Sequence, residues 1–240
     1  MSTIPLKESS GSGSTLSATL SGTLETEIVD GRLQPGTHLV ERTLCERFRV
    51  SRAVVRESIF RLQGQGLVDV VSRGGATVTE LTRENFLDAY FFREGLEVMA
   101  AEQCALRMNR EEVARLKGSA EAITREYENE THSFDSTLLE TDQEFHRAIV
   151  KGSRNSHIQN AWATAMLHFF RGIKLPPESL LTKESRQAIL VDHHEIAEAI
   201  ANGDGSSAGS VMKRHIQAGR ELILRHGASV LRNSLATQIS

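Results

Sequence analysis

Apolar residues recur every fourth position at Leu20, Leu24 and Ile28, a helical stripe that predicts a helix from about residue 16 to residue 30, with Gly31 and then Pro35-Gly36 stopping it. A second helix fits 41–48. After a tight turn at Val50, Ser51 is a good N-cap for a third helix to about Gln63, which turns Val55, Ile59 and Leu62 inward and ends at Gly64 and Gly66. From Leu67 to Val78, β-branched residues alternate around Ser72-Arg73-Gly74-Gly75, predicting a two-stranded hairpin. Beyond Thr79 the texture changes to long helical patterns without a strand candidate. Leu81-Thr82, Met108-Asn109, Gly152–Asn155, Pro176-Pro177 and Asn202–Gly205 divide residues 83–230 into about six helices.

The expected fold is mainly α: an N-terminal winged helix-turn-helix followed by an all-α antiparallel helical bundle. Residues 8–17 are Ser/Gly-rich and cannot bury a core, so 1–17 reads as a disordered arm. The winged unit then spans 18–79, 80–83 links it to a helical domain over 84–230, and 231–240 forms a tail. With 240 residues, 39% of them hydrophobic and 25% charged, the chain is long enough for two such domains. No apolar run reaches the roughly 18–20 residues of a membrane span, and no basic-then-apolar leader is present, so a soluble cytoplasmic protein is expected. Cys45 and Cys104 show no CxxC spacing and are expected to be reduced and buried.

A net charge of −3 disfavours indiscriminate coating of nucleic acid, but it hides a local excess. Between residues 42 and 61, Arg42, Arg47, Arg49, Arg52, Arg56 and Arg61 face only Glu46 and Glu57, a local balance of +4. Such a focused patch suits site-specific DNA binding. Ser51, Arg52 and Arg56 fall in the first turns of the third helix, where a recognition helix offers side chains to base edges, and arginine is built for bidentate contact with guanine. The alternative is a solvated arginine face with no ligand.

The run Ile28-Val29-Asp30-Gly31-Arg32-Leu33-Gln34-Pro35-Gly36, with Leu39, Glu41, Leu44, Val50 to Ile59, Leu62, Gly66-Leu67-Val68 and Gly75 to Val78, resembles the winged-helix domain of the GntR superfamily. The resemblance implies that Arg42, Arg52 and Arg56 contact DNA, with Ser51 on a phosphate, the wing near Gly75 in the minor groove, and Arg73 as a further wing contact. Val54 departs from the family, which usually has proline there.

In the second half, Asp142 and His146 lie four apart in a helical pattern, so about 400° of rotation sets them on one face. His193 and His215 lie 11 residues before and after Asp204, which places both imidazoles at one height if the chain folds back at that turn. One Asp and three His suit a divalent transition metal. Taken singly, a helical histidine is ordinarily a surface or interface residue, and His38, His132, His157, His168, His194 and His226 are read so. The region resembles the FadR-like C-terminal (FCD) domain in Arg93-x-x-x-Glu97, Asp142-x-x-Phe145-His146, Ser153-Arg154-Asn155, His193-x-x-Ile196-x-x-Ala199-Ile200 and His215. That resemblance implies that Asp142, His146, His193 and His215 bind zinc, or else nickel or manganese, and that a small carboxylate effector completes the coordination. Two roles are open to Arg93: steadying that carboxylate, or pairing with Glu97 one turn on.

The expectation is therefore a ligand-responsive transcription regulator, read as a repressor, that binds a palindromic double-stranded operator as a homodimer. A metal-only sensor is the alternative from the same class. A metal-dependent hydrolase or isomerase with a DNA-binding head is the rival from another, with Glu144 and Glu195 as its nearest acids, but H-E-x-x-H does not occur.

Overall fold

The structure, a computed structural model, describes residues 13–70, 75–80, 82–128, 136–172 and 183–226. The chain divides into two compact units, Met1–Thr82 and Arg83–Ser240.

In the first unit the order is α1 (Gly13–Val29), β1 (His38–Val40), α2 (Glu41–Phe48), α3 (Arg52–Gly64), β2 (Val68–Val70) and β3 (Gly75–Val78). Leu20, Leu24 and Ile28 of α1 are buried with Leu44 and Phe48 of α2 and Val55, Ile59 and Leu62 of α3. Each such side chain contributes about 1.5–3 kcal/mol by leaving water. Glu27, almost wholly buried in α1, is joined by the Arg47 guanidinium of α2, with Nη1 at 2.9 Å from Oε2.

Two sequence expectations need correction here. Helix α1 starts at Gly13, so residues 13–17 are helical rather than part of the arm. The reason lies in Ser17, which is buried and small enough to let α3 approach, and whose carbonyl accepts the Ser58 hydroxyl at 3.0 Å. The sheet also has three strands, in the order β1-β3-β2, both pairs antiparallel. In β1 only Leu39 is buried, and a three-residue strand is too short for alternation to show against a following helix. Gly75 is required where β3 meets it: a Cβ there would lie 2.6 Å from the Leu39 carbonyl oxygen.

The turn between α2 and α3 is tight. Arg49 caps α2 in the left-handed region (φ 55°, ψ 44°), and the Ser51 hydroxyl then accepts the Val54 N–H at 3.4 Å to start α3.

The second unit is all helical among its described residues: α4 (Arg83–Arg107), α5 (Arg110–Glu128), α6 (Ser136–Gly152), α7 (Ser156–Gly172), α8 (Lys183–Ala201) and α9 (Gly205–His226). The 25-residue α4 packs against α6, α7, α8 and α9. Its inner stripe mixes Phe86, Tyr90, Leu96, Ala100 and Ala101 with two charged residues, Arg93 and Glu97. The α8–α9 turn sets the register of that hairpin. Gly203 takes φ +73°, the Asp204 N–H returns to the Ala199 carbonyl at 2.9 Å, and the Asp204 carboxylate accepts the Ser207 N–H at 3.0 Å. No helix among the described residues is long and apolar enough to cross a membrane.

Candidate metal centre and nucleic-acid interface

Helix α6 carries Asp142 and His146 one turn apart, α8 carries His193, and α9 carries His215. Their donor atoms all lie within 4.8 Å of one another. Asp142 Oδ1 is 3.1 Å from His193 Nε2, Asp142 Oδ2 is 3.7 Å from His146 Nε2, and the Nε2 atoms of His146 and His215 are 3.2 Å apart. The His193 and His215 ring centroids are 4.4 Å apart, so the hairpin brings the two imidazoles to one height.

The exposure of His146, His193 and His215 is 1%, 0% and 6%. Burial pushes the His215 imidazole well below its ordinary value, and its two histidine neighbours push it the same way, so its ring stays neutral with a lone pair to give. Burial alone would raise the Asp142 carboxyl, but the neighbouring His146 ring and the hydrogen bond from His193 outweigh it and hold the group well below the carboxylate range. Metal–nitrogen bonds of about 2.0–2.1 Å place tetrahedral ligands about 3.3 Å apart; three of the donor spacings, 3.1–3.7 Å, lie near that value, and all four donors fall within 4.8 Å of one another.

A second layer orients the rings. His146 Nδ1 lies 2.5 Å from Glu97 Oε2, and a carboxylate there only accepts, so Nδ1 carries the proton and Nε2 is left bare toward the centre. The other Glu97 oxygen accepts Arg93 Nε at 2.6 Å and Trp162 Nε1 at 2.7 Å. Burial would raise the Glu97 carboxyl; the Arg93 charge, then the His146 ring and the hydrogen bonds from both, hold it well below its ordinary value instead. His215 Nδ1 is buried without a hydrogen-bond partner, and its nearest carboxylate oxygen, Asp192 Oδ2, stands 3.9 Å away. Asp192 in turn accepts Arg214 Nε at 2.9 Å.

Of the roles open to Arg93, the Glu97 pair is formed, through Nε. The three further members of this layer, Trp162, Asp192 and Arg214, had no sequence signal. Glu97 had one, a charged pair at i, i+4 inside an otherwise apolar stripe. The acids weighed for catalysis lie elsewhere: Glu144 is exposed, and Glu195 is bound to Arg214 at the surface.

In the first unit, Arg52 and Arg56 are exposed on the opening turns of α3, and Arg42 is exposed on α2. Arg42 reaches Glu46 at 3.4 Å and Arg56 Nε reaches Glu41 at 2.9 Å. Ser51 is engaged as the α3 cap. Gly75 is buried within β3, where its close approach to Leu39 accounts for it structurally. Arg73 lies outside the described residues.

Residues 16–78 match the bacterial regulatory proteins of the gntR family, and residues 88–218 match the FCD domain. Among similar proteins, the HTH-type transcriptional regulator YdhC of Bacillus subtilis is 27% identical over 197 residues, covering 81% of this chain and 83% of its own. The HTH-type transcriptional repressor RspR of Escherichia coli is 26% identical over 207 residues, covering 81% and 82%. The solved structure of E. coli McbR/YncC shares the fold with a TM-score of 0.63 at 20% identity, covering 88% of this chain and 97% of its own. Two family matches in this order, on relatives that are regulators rather than enzymes, lead to one conclusion: the chain belongs to the gntR family of bacterial transcription regulators, with a helix-turn-helix domain followed by an FCD domain.

Proposed function

We propose that this regulator is a homodimeric, ligand-responsive repressor whose FCD domain holds a divalent transition metal. Zinc suits the donor set best, and nickel or manganese are accommodated. A single observation carries this reading: three buried imidazole Nε2 atoms and one carboxylate converge within 4.8 Å, with a fixed tautomer at His146. Asp142, His146, His193 and His215 would hold the ion, which when bound offers an open position to a small carboxylate metabolite. Arg93, buried beside the centre with its planar donor fork, would steady that carboxylate while Nε stays on Glu97.

In the first unit, Arg42, Ser51, Arg52, Arg56, Arg73 and Gly75 would lie along a palindromic double-stranded operator, one winged helix per half-site. Effector binding would then shift DNA affinity by a reciprocal coupling of about 1–3 kcal/mol. RspR, a relative named as a repressor, supports the reading of this chain as a repressor.

The test is metal content by inductively coupled plasma mass spectrometry on wild type, His193→Ala and His215→Ala, with circular dichroism to verify folding. About one transition metal per chain, lost in both folded variants, is expected from a single closed site. Metal-free wild type that resists reconstitution overturns the sensor half. DNA affinity that responds to the metal alone, and to no carboxylate, overturns the effector half.

A further inference from the structure

Two residues other than glycine adopt positive φ among the described residues, and both are arginines: Arg49 at 55° and Arg154 at 51°. The left-handed region crowds a Cβ, so an arginine held there persists only where something else favours it. For Arg154 the compensation is visible. Its guanidinium donates to the Arg107 carbonyl through Nη1 and to Glu112 Oε2 at 2.9 Å through Nη2, tying α4 and α5 to the turn before α7.

Arg49 has no such anchor. Its backbone caps α2, a task glycine performs with less strain, and its exposed side chain forms no ion pair or hydrogen bond with any described residue. Its neighbours contrast with it. Of the six arginines between 42 and 61, Arg42, Arg47, Arg56 and Arg61 each reach a glutamate, Glu46, Glu27, Glu41 and Glu57 respectively. Arg49 and Arg52 are the two that do not, and they stand on either side of Ser51, the residue that starts α3. The local excess of positive charge read from the sequence is therefore concentrated by ion pairing into these two groups.

We infer that Arg49 is a DNA-phosphate contact on the turn that leads into the recognition helix, and that the left-handed strain at this position is retained for it. A guanidinium is suited to a phosphate diester by its charge and its planar pair of N–H donors. Because Arg49 lies on the turn and not on α3, the contact would fix the protein's register on the backbone and carry no sequence information. This inference rests on the reading that the first unit engages duplex DNA through α3.

The test uses the full-length protein and a fluorescein-labelled mixed-sequence duplex of about 30 base pairs, followed by anisotropy between about 50 and 200 mM salt. Arg49→Gly is expected to melt a few degrees higher than wild type, since the backbone strain is relieved. The same variant is expected to bind the duplex about 5–10-fold more weakly, with a salt slope smaller by about 0.9. Arg49→Lys, which keeps the charge, should recover most of the affinity and the slope while gaining no stability. Arg52→Ala is the reference for the underlying reading. Arg49→Gly with wild-type affinity and slope, beside a weakened Arg52→Ala, overturns the role of Arg49 and leaves DNA binding through α3 intact. Wild-type binding in both variants, or no duplex binding by wild type, overturns both. Weaker binding by an Arg49→Gly protein that melts lower than wild type also overturns it, because the loss then follows from a damaged turn.

Discussion

Replacing Glu97 by glutamine changes one oxygen to nitrogen at a point where three donors converge. Arg93 Nε and Trp162 Nε1 share one carboxylate oxygen, and His146 Nδ1 uses the other. A glutamine can keep the first pair by turning its carbonyl oxygen toward them. Its NH2 then faces His146 Nδ1, and two N–H groups cannot bond to each other, so the ring must move its proton to Nε2. That proton occupies the lone pair aimed at the metal centre. Two losses follow, and they separate cleanly. The buried Arg93 loses its counter-charge, which for a buried pair costs about 3 kcal/mol or more; in a chain of this size that lowers the melting temperature by roughly 6–12 °C. Zinc affinity falls about 100-fold, the upper end of what loss of an outer-layer partner produces. Stability is to be measured by urea unfolding in chelator, so that bound metal does not add to it, and affinity by competition with a chromophoric chelator. A Glu97→Gln protein within about 1 kcal/mol of wild type in chelator, and within about threefold in zinc affinity, would refute the account of Glu97 as a charged anchor and as the keeper of the tautomer.

Arg47→Ala leaves the buried Glu27 with only the exposed Arg32, whose Nη1 is 3.6 Å from Oε1, as counter-charge in the first unit. Because Arg47 keeps 22% of its side chain exposed, the expected loss is about 2 kcal/mol, below the range for fully buried pairs, and a urea midpoint unchanged from wild type would contradict it. Gly205→Ala would place a Cβ 2.9 Å from the Glu102 carbonyl oxygen, a backbone atom that cannot swing aside, and should cost about 1–3 kcal/mol in thermal unfolding. Gly118→Ala, where a Cβ meets nothing within 4 Å in the middle of α5, should instead stabilise by about 0.5–1 kcal/mol, so opposite signs are expected from one assay. Burial pushes the Cys104 thiol up to about 12, whereas Cys45 is partly exposed. A thiol reagent at neutral pH should therefore label one cysteine quickly and the second only on unfolding, and fast labelling of both would place Cys104 outside the core.

The elements legible in the sequence were those whose burial leaves a period. The four-residue stripe of α1, the capped entry to α3 and the six described helices of the second unit all carry such a signal, and the 11-residue symmetry about Asp204 correctly brought His193 to His215. What escaped had no local period. In β1 a single buried residue, Leu39, is recognised only through its pairing with β3, more than 30 residues on. Residues 13–17 looked too polar for a core, yet Ser17 is buried because it is small and its carbonyl has a long-range partner in Ser58. Likewise, Arg93 and Glu97 announce themselves as a pair, but that Glu97 also holds His146 and Trp162, which lie 49 and 65 residues away, belongs to the packing of α4 against α6 and α7. Asp192 and Arg214 stand in the same position: each adjoins a candidate ligand along the chain, but nothing before the hairpin folds marks the two as a pair beside His215.

The Trp162 hydrogen bond has a practical consequence. The chain contains one tryptophan, and its indole N–H is held by the same carboxylate that holds His146. An indole excited state is polar and responds to charge beside its N–H, so its intrinsic emission is tied to whatever happens at the far oxygen of Glu97. On the proposed reading the molecule thus contains its own optical gauge, built from native atoms and free of background from any second indole, by which the binding and loss of a metal at the candidate centre would be followed in real time without a label.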